Sequence, residues 1–259
     1  MGKNKLKKFK EMEEIPFVFQ YPWGRLQQEK FPFKEKWKEF FGNGNPVTLE
    51  LGCGKGEYTV GLAQRFPERN FIGVDIKGAR MWTGAKQALE EGLSNVAFLR
   101  TDIELLHHFF NKAEVDEIWI TFPDPQMKKV SKRLTGSRML NLYRDVMGDT
   151  GKINLKTDSP FLYNYTNLLI EHNNLSKVQD SKDLYGEEDN GEIPTFLKEI
   201  RTHYEQQWLQ RGLSIKYISF LLNSGDQLEE PEGAEDLEKD TYRSYSRGYI
   251  QMPNMIKNE

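Results

Sequence analysis

The feature that most constrains this chain is a rhythm. Short apolar runs at 47–51, 70–74, 95–99, 116–121 and 151–155 alternate with helical patterns at 57–66, 78–91, 103–110, 136–147 and 160–172. Strands that alternate regularly with helices run parallel, and the helices cross back over the sheet and cover both of its faces. The prediction is therefore an α/β fold. A late helix is expected at 196–211 and a final strand at 214–222, and no internal repeat is visible.

A length of 259 residues suits one such core with short extensions. Residues 1–45 read as an N-terminal extension whose aromatics (Phe17, Phe19, Tyr21, Trp23, Phe31, Phe33, Trp37, Phe40) are expected to dock part of it. The cluster Gly42-Asn43-Gly44-Asn45-Pro46 marks the break before the main domain, 46–222. The tail, 223–259, holds nine acids against four Lys/Arg; its first part is expected to be disordered, and Tyr242, Tyr245 and Tyr249 could dock further on.

Composition excludes several classes. No run approaches about 18 consecutive apolar residues, so no membrane span is expected, and mean hydropathy is −0.70. Lys3, Lys5, Lys7, Lys8 and Lys10 have no apolar run behind them and do not form a secretory signal. The single cysteine, Cys53, excludes an internal disulfide and a cysteine zinc site, and suits the reducing cytoplasm. With four histidines, two of them adjacent (His107, His108), no metal site is expected. The formal charge of −3 hides an asymmetry: residues 125–144 carry Lys128, Lys129, Lys132, Arg133, Arg138 and Arg144 and no acid. A nucleic acid responds to such a local field, although a solvated basic helix face has the same composition.

The first strand runs into Glu50-Leu51-Gly52-Cys53-Gly54-Lys55-Gly56-Glu57. Glycines 52, 54 and 56 allow a tight turn and close approach to a ligand, and the helix that follows aims its N–H groups there. Asp75 ends the second strand, where a carboxylate can accept both hydroxyls of a ribose; a plain strand-end acid is the alternative. Asp102, after the third strand, can accept from an adenine amino group or N-cap the next helix. A dinucleotide fingerprint wants glycine or alanine three residues after Gly54, but Glu57 stands there and would repel a pyrophosphate. Glu50 beside the glycines suits a cationic amine instead. Glu50-x-Gly52-x-Gly54-x-Gly56 with Asp75 resembles the first motif of class I S-adenosylmethionine (SAM) dependent methyltransferases.

After the fourth strand comes Thr121-Phe122-Pro123-Asp124-Pro125-Gln126-Met127-Lys128-Lys129, in which two prolines stiffen the backbone around one acid. Phe-Pro-Asp-Pro followed by a basic run resembles the signature of the bacterial tRNA (guanine-N7)-methyltransferases. Thr157-Asp158 matches that family's Thr-Asp after the fifth strand, and Thr202-His203-Tyr204-Glu205 its late Thr-x-Phe/Tyr-Glu. The resemblance spans about residues 45–222. It implies a Rossmann-like, doubly wound α/β sheet, mostly parallel with a final antiparallel strand. It implies methyl transfer from SAM to N7 of a tRNA guanine, guanine 46 of the variable loop. Carried over by position, it implies cofactor contacts at Glu50, Gly52, Gly54, Gly56, Asp75, Asp102 and Asp124, with Asp124 as the catalytic residue. It implies tRNA contacts at Lys128, Asp158, Thr202, His203, Tyr204 and Glu205, and no metal.

Other readings stay open at this point. Thr202-x-x-Glu205 has the form of a capping box that starts the late helix at 203, with Gly212 as its C-terminal stop, and Asp158 can N-cap the helix at 160–172. The family has Trp and then Pro or His after Pro-Asp-Pro, and Arg-His beyond the lysines; this chain has Gln126-Met127 and Val130-Ser131. That departure bears on base recognition. It leaves room for a SAM and tRNA binding protein without activity, or for a methyltransferase with another substrate. The sequence does not choose between monomer and homodimer.

Overall fold

The computed structural model describes residues 2–186 and 193–242. In chain order its elements are α1 (Gly2–Glu13), β1 (Val18–Gln20), α2 (Trp23–Leu26), α3 (Trp37–Phe41), β2 (Val47–Leu51), α4 (Glu57–Arg65), β3 (Asn70–Val74), α5 (Gly78–Glu90) and β4 (Val96–Arg100). There follow β5 (Val115–Thr121), α6 (Ser137–Arg144), β6 (Met147–Thr157), α7 (Pro160–His172), β7 (Lys177–Ser181), α8 (Phe196–Glu199), α9 (His203–Gln210) and β8 (Lys216–Asn223).

The strands form one sheet in the order β1-β4-β3-β2-β5-β6-β8-β7. Pairing is parallel from β1 through β6, and β8 runs antiparallel to both β6 and β7. The central strands β2 and β3 are buried at every position, as the two-sided cover of a parallel sheet requires. One face packs on Trp37 of α3, Met139 and Leu140 of α6 and Phe161 and Leu169 of α7. The other face packs on Met12 of α1, Tyr58 and Val60 of α4 and Met81 and Ala85 of α5. Met81, Gly84, Ala85 and Ala88 recur at helical spacing, which is what turns α5 toward the sheet.

The predicted alternation is present, with differences that have local causes. The helix expected at 103–110 is a 3-10 turn, Ile103–His108, capped by Asp102, after which Phe109 and Phe110 are drawn into the core. The helix expected at 136–147 stops at Arg144, because Val146 already accepts from the N–H of Val115 and Met147 opens β6. The expected late helix, 196–211, is two helices: the Thr202 side chain accepts from Glu205 N–H and Glu205 reaches back, a full capping box, so α9 starts at His203. Gly212, at φ +72°, ends it. Ser159, not Asp158, caps α7, accepting from Leu162 N–H at 2.9 Å with Pro160 in the first turn.

The segment before residue 46 supplies α1 and the strand β1, and β1 pairs with β4. Of its aromatics, Phe19, Tyr21, Phe31, Phe33, Trp37 and Phe40 form one cluster with Phe109 and Phe110, and the Trp37 indole N–H donates to Phe109 O. Trp23 stays 52% exposed.

The acidic tail corrects the expectation of disorder as far as residue 242. Leu228 is buried, and Glu230 accepts from Ser137 N–H (3.0 Å), Ser137 Oγ (2.7 Å) and Tyr165 OH (2.6 Å). Asp240 is buried on Ser159 Oγ and Phe161 N–H. Both acids sit on helix N-termini, of α6 and α7, where the aligned peptide dipoles and open N–H groups favour negative charge. Composition alone marks such a tail as disordered because it does not show that its acids have two positive helix ends to occupy. Tyr245 and Tyr249 lie outside the described residues. Among those residues, no helix is long and apolar enough to cross a membrane.

Candidate active site

At the carboxyl ends of β2, β3 and β5, where the chain leaves one half of the sheet for the other, a cleft of about 530 Å³ opens. This is the position at which open parallel sheets bind ligands. Gly52, Gly54 and Asp75 line one side, Thr121, Phe122, Pro123, Asp124 and Gln126 another, and Thr202, Tyr204 and Trp208 a third.

Gly52, Gly54 and Gly56 have φ of +77°, +57° and +75°, a region that side chains rarely adopt. At Gly56 space is also short. A Cβ there would stand 2.6 Å from the Phe98 ring, and one on Gly84 of α5 would stand 2.6 Å from Lys55 O. The glycine loop is thus wedged against α5, while Gly52 and Gly54 border the cleft.

The N-cap of α4 is Gly56, which has no side-chain oxygen, and Glu50 of β2 takes over that work. Its carboxylate accepts from Thr59 N–H (2.8 Å), from the Thr59 hydroxyl and from the Thr121 hydroxyl (2.6 Å). Glu50 is 3% exposed, and burial pushes its pKa up to about 7 against the three hydrogen bonds that favour its charge. It lies beneath the glycine loop rather than among the cleft-lining residues.

Asp75 accepts from Gly54 N–H (2.9 Å) and Lys77 N–H (2.7 Å), one bond on each oxygen. A carboxylate has about four acceptor positions, so two remain. Asp102 caps the 3-10 turn through Glu104 N–H and also lines a second cavity, of about 250 Å³, with Trp23, Ile76 and Arg100. Capping uses one oxygen, so the two readings of Asp102 are compatible.

Asp124 is exposed and lines the cleft; one of its oxygens accepts from Gln126 N–H at 3.1 Å. Two positions to either side of it, Phe122 and Gln126 have φ of +48° and +49°. Each such non-glycine conformation costs about 1–3 kcal/mol and persists only where the surroundings impose it. Here Phe122 N–H donates to Lys156 O (2.8 Å), and the buried Arg133 donates to Gln126 O (3.2 Å) and Met127 O (3.0 Å). The Arg133 guanidinium lies 4.3 Å over the Tyr165 ring.

The basic stretch therefore divides. Lys128 and Lys129 are exposed. Lys132 and Arg138 both pair with Glu104, at 2.6 and 2.7 Å, and hold its carboxyl down at about 2. Arg133 pins the loop, and Arg144 holds the tail through Asp226 O. Besides Lys132 of the stretch and Lys55 of the glycine loop, two further cations line the cleft, Lys77 and Arg80. Their signal in the sequence is their place just after Asp75, at the end of β3.

Of the late motif, Thr202 and Tyr204 line the cleft and His203 is exposed, its N–H donating to Glu57 at 2.9 Å. Glu205 and Asp158 are wholly buried, which corrects the expectation that they touch a substrate directly. Glu205 pairs with the equally buried Lys156 at 2.6 Å and accepts from Tyr185 OH at 2.8 Å. Asp158 accepts from Tyr242 OH at 2.6 Å. Among the described residues, no group of three or more His, Cys, Asp or Glu is placed to hold a metal ion.

The Methyltransf_4 family model, "Putative methyltransferase", matches residues 44–218. A tRNA (guanine-N(7)-)-methyltransferase of Porphyromonas gingivalis is 60% identical over 240 residues, 91% of this chain and 96% of that protein. Its namesake in Bacteroides fragilis is 54% identical, over 95% and 96%. One in Listeria monocytogenes is 32% identical, over 75% and 92%. Among solved structures, an antibiotic-related methyltransferase superposes with a TM-score of 0.54 at 19% identity, over 72% of this chain and 92% of that one. The 16S rRNA methyltransferase KamB gives 0.51 at 13%, over 76% and 96%. At such identities these two likenesses show the class I methyltransferase fold alone. The long, high-identity matches show more: this chain belongs to the tRNA (guanine-N7)-methyltransferase family.

Proposed function

We propose that the protein transfers the methyl group of SAM to N7 of a guanine in tRNA, at position 46 of the variable loop. One observation carries the choice of cofactor. The N-terminus of α4, which a nucleotide phosphate would need, is already served by the Glu50 carboxylate, and Glu57 in the same turn also lines the cleft. A cleft-lining acid in that turn repels a pyrophosphate and suits a cationic sulfonium and amine. The fit extends to the spare acceptor positions of Asp75 for a ribose diol and to Asp102 for an adenine amino group.

SAM supplies an electrophilic methyl group on its sulfonium. The rest falls to the chain. Guanine N7 has an in-plane lone pair and no proton, so no residue has to act as a base. The work of the site is to hold that lone pair in line at about 3–3.5 Å. The base gains positive charge as the methyl arrives, and Asp124, fixed between two prolines and two left-handed residues, offsets it. Lys128, Lys129, Lys77 and Arg80 give the phosphate backbone its counter-charges. Thr202 and Tyr204 wall the acceptor side, and the exposed His203 beside them meets the tRNA. Glu205 and Asp158 act from below by fixing α9 and the end of β6. The transferase unit is residues 46–222, braced by the described parts of its flanks, 2–45 and 223–242.

The test is incubation with labelled SAM and unmodified tRNA, then digestion and identification of the labelled nucleoside. Label in 7-methylguanosine is the expected result. A tRNA whose position 46 is not guanine should take up none. Label in any other nucleoside, or none at all with SAM binding intact, refutes the reading.

A further inference from the structure

Resting on that function, we propose that segment 226–242 is a strap that sets the acceptor side of the cleft, with Asp240 and Tyr242 as positioning residues for methyl transfer. The strap is anchored upstream by Glu230 at the N-terminus of α6 and by Asn141, which exchanges hydrogen bonds with Leu228 N–H and O. Its end then meets three parts of the site within three residues. The Asp240 carboxylate accepts from Ser159 Oγ (2.5 Å) and Phe161 N–H (3.1 Å), fixing the turn directly after Thr157-Asp158. Asp240 N–H donates to the Met127 sulfur at 3.2 Å. Tyr242 OH donates to the buried Asp158, and its ring stands edge-on to Trp208, a wall of the cleft, at 5.5 Å.

Met127 is therefore held from both sides, its carbonyl by Arg133 and its sulfur by the strap. It lies three residues from Asp124 in a loop of fixed, strained backbone. Gln126-Met127 is also the place where this chain departs from the family's pattern. Loop and strap thus form one unit: a methionine here offers an acceptor to a main-chain N–H that arrives from 113 residues further along the chain. The contacts act on position, because neither Asp240 nor Tyr242 lines the cleft.

The test compares Tyr242→Phe, Asp240→Ala, Asp240→Asn and, as a control on the exposed part of the strap, Glu238→Gln. Four quantities are read: thermal midpoint, affinity for S-adenosylhomocysteine, single-turnover transfer at saturating tRNA, and hydrogen exchange of residues 122–129. Tyr242→Phe should keep the midpoint and the nucleoside affinity while transfer slows by about 10- to 100-fold, the scale expected of a small misplacement of reacting groups. Asp240→Ala should slow transfer similarly and speed exchange at 122–129. Asp240→Asn, which keeps an acceptor for Phe161 N–H, should recover most of the rate, and Glu238→Gln should match the parent. Parent-like transfer in both Tyr242→Phe and Asp240→Ala overturns the proposal. So does a loss confined to tRNA affinity, which would make the strap a substrate surface. If the parent protein methylates no tRNA, the proposed function fails, and exchange decides the strap alone: unchanged rates at 122–129 in Asp240→Ala reject it.

Discussion

Glu50 is buried beneath the glycine loop with a pKa of about 7, and that has a measurable consequence for stability. In the unfolded chain its carboxyl titrates near 4.5, so folding raises the pKa. A raised pKa makes the group's contribution greatest below the unfolded value and diminishes it as pH climbs through the folded one. Between pH 5.5 and pH 8 the two titration curves differ by an amount worth about 2 kcal/mol at 1.36 kcal/mol per pH unit. Glu50→Gln removes the titration and keeps the shape: its amide oxygen can accept from Thr59, and its NH₂ can donate to the Thr121 hydroxyl. Urea unfolding at the two pH values measures the difference. The parent should lose about 2 kcal/mol relative to Glu50→Gln on going to pH 8. Parallel behaviour of the two proteins, within about 0.5 kcal/mol, would refute the argument that burial outweighs the hydrogen bonds at this carboxylate.

Asp124→Ala should lower kcat by about 100-fold or more while leaving S-adenosylhomocysteine affinity within a few-fold, and near-normal turnover would remove its electrostatic role. Glu205→Ala strips the buried Lys156 of its 2.6 Å partner. Burial lowers that amine's pKa to about 8 even with Glu205 in place, so it is driven toward its neutral form, and the loss in urea unfolding should fall at the low end of about 3–5 kcal/mol. The pair Lys156→Met with Glu205→Leu should recover much of that, and a loss under about 1 kcal/mol in the single variant would contradict the pairing. Plots of log affinity for tRNA against log salt should be steep, and Lys77→Ala or Arg80→Ala should each reduce the slope by about 1; a flat plot would exclude the phosphate-binding roles.

What could be read in advance follows from how local each signal is. β2 and β3 were legible to the residue because each packs three large apolar residues into five positions bounded by turn residues. β1 and β7 were not. Val18–Gln20 is too short to show a period, and Lys177–Ser181 is a largely exposed edge whose polar residues resemble a loop. The place of Gly52, Gly54, Asp75 and Asp124 along the cleft was legible because strand ends and chain punctuation announce it. The burial of Glu205 and Asp158 was not, since it depends on Lys156 and Tyr242, which the fold brings from 49 and 84 residues away. The basic stretch misled for a related reason: Glu104, which neutralises two of its members, lies outside it.

Among the described residues, the last strand in chain order is not the last in the sheet. β8 lies between β6 and β7, so the register of both neighbours is completed by residues 216–223. During synthesis, β6 emerges with one side unpaired, and β7 has no strand to join until β8 has left the ribosome. An open strand side of that kind is where one nascent chain can pair with another. A message truncated before residue 216 should yield a sticky, unfinished sheet rather than a smaller enzyme. The same order of assembly delays the strap, which reaches Met127 only after β8 has closed the gap.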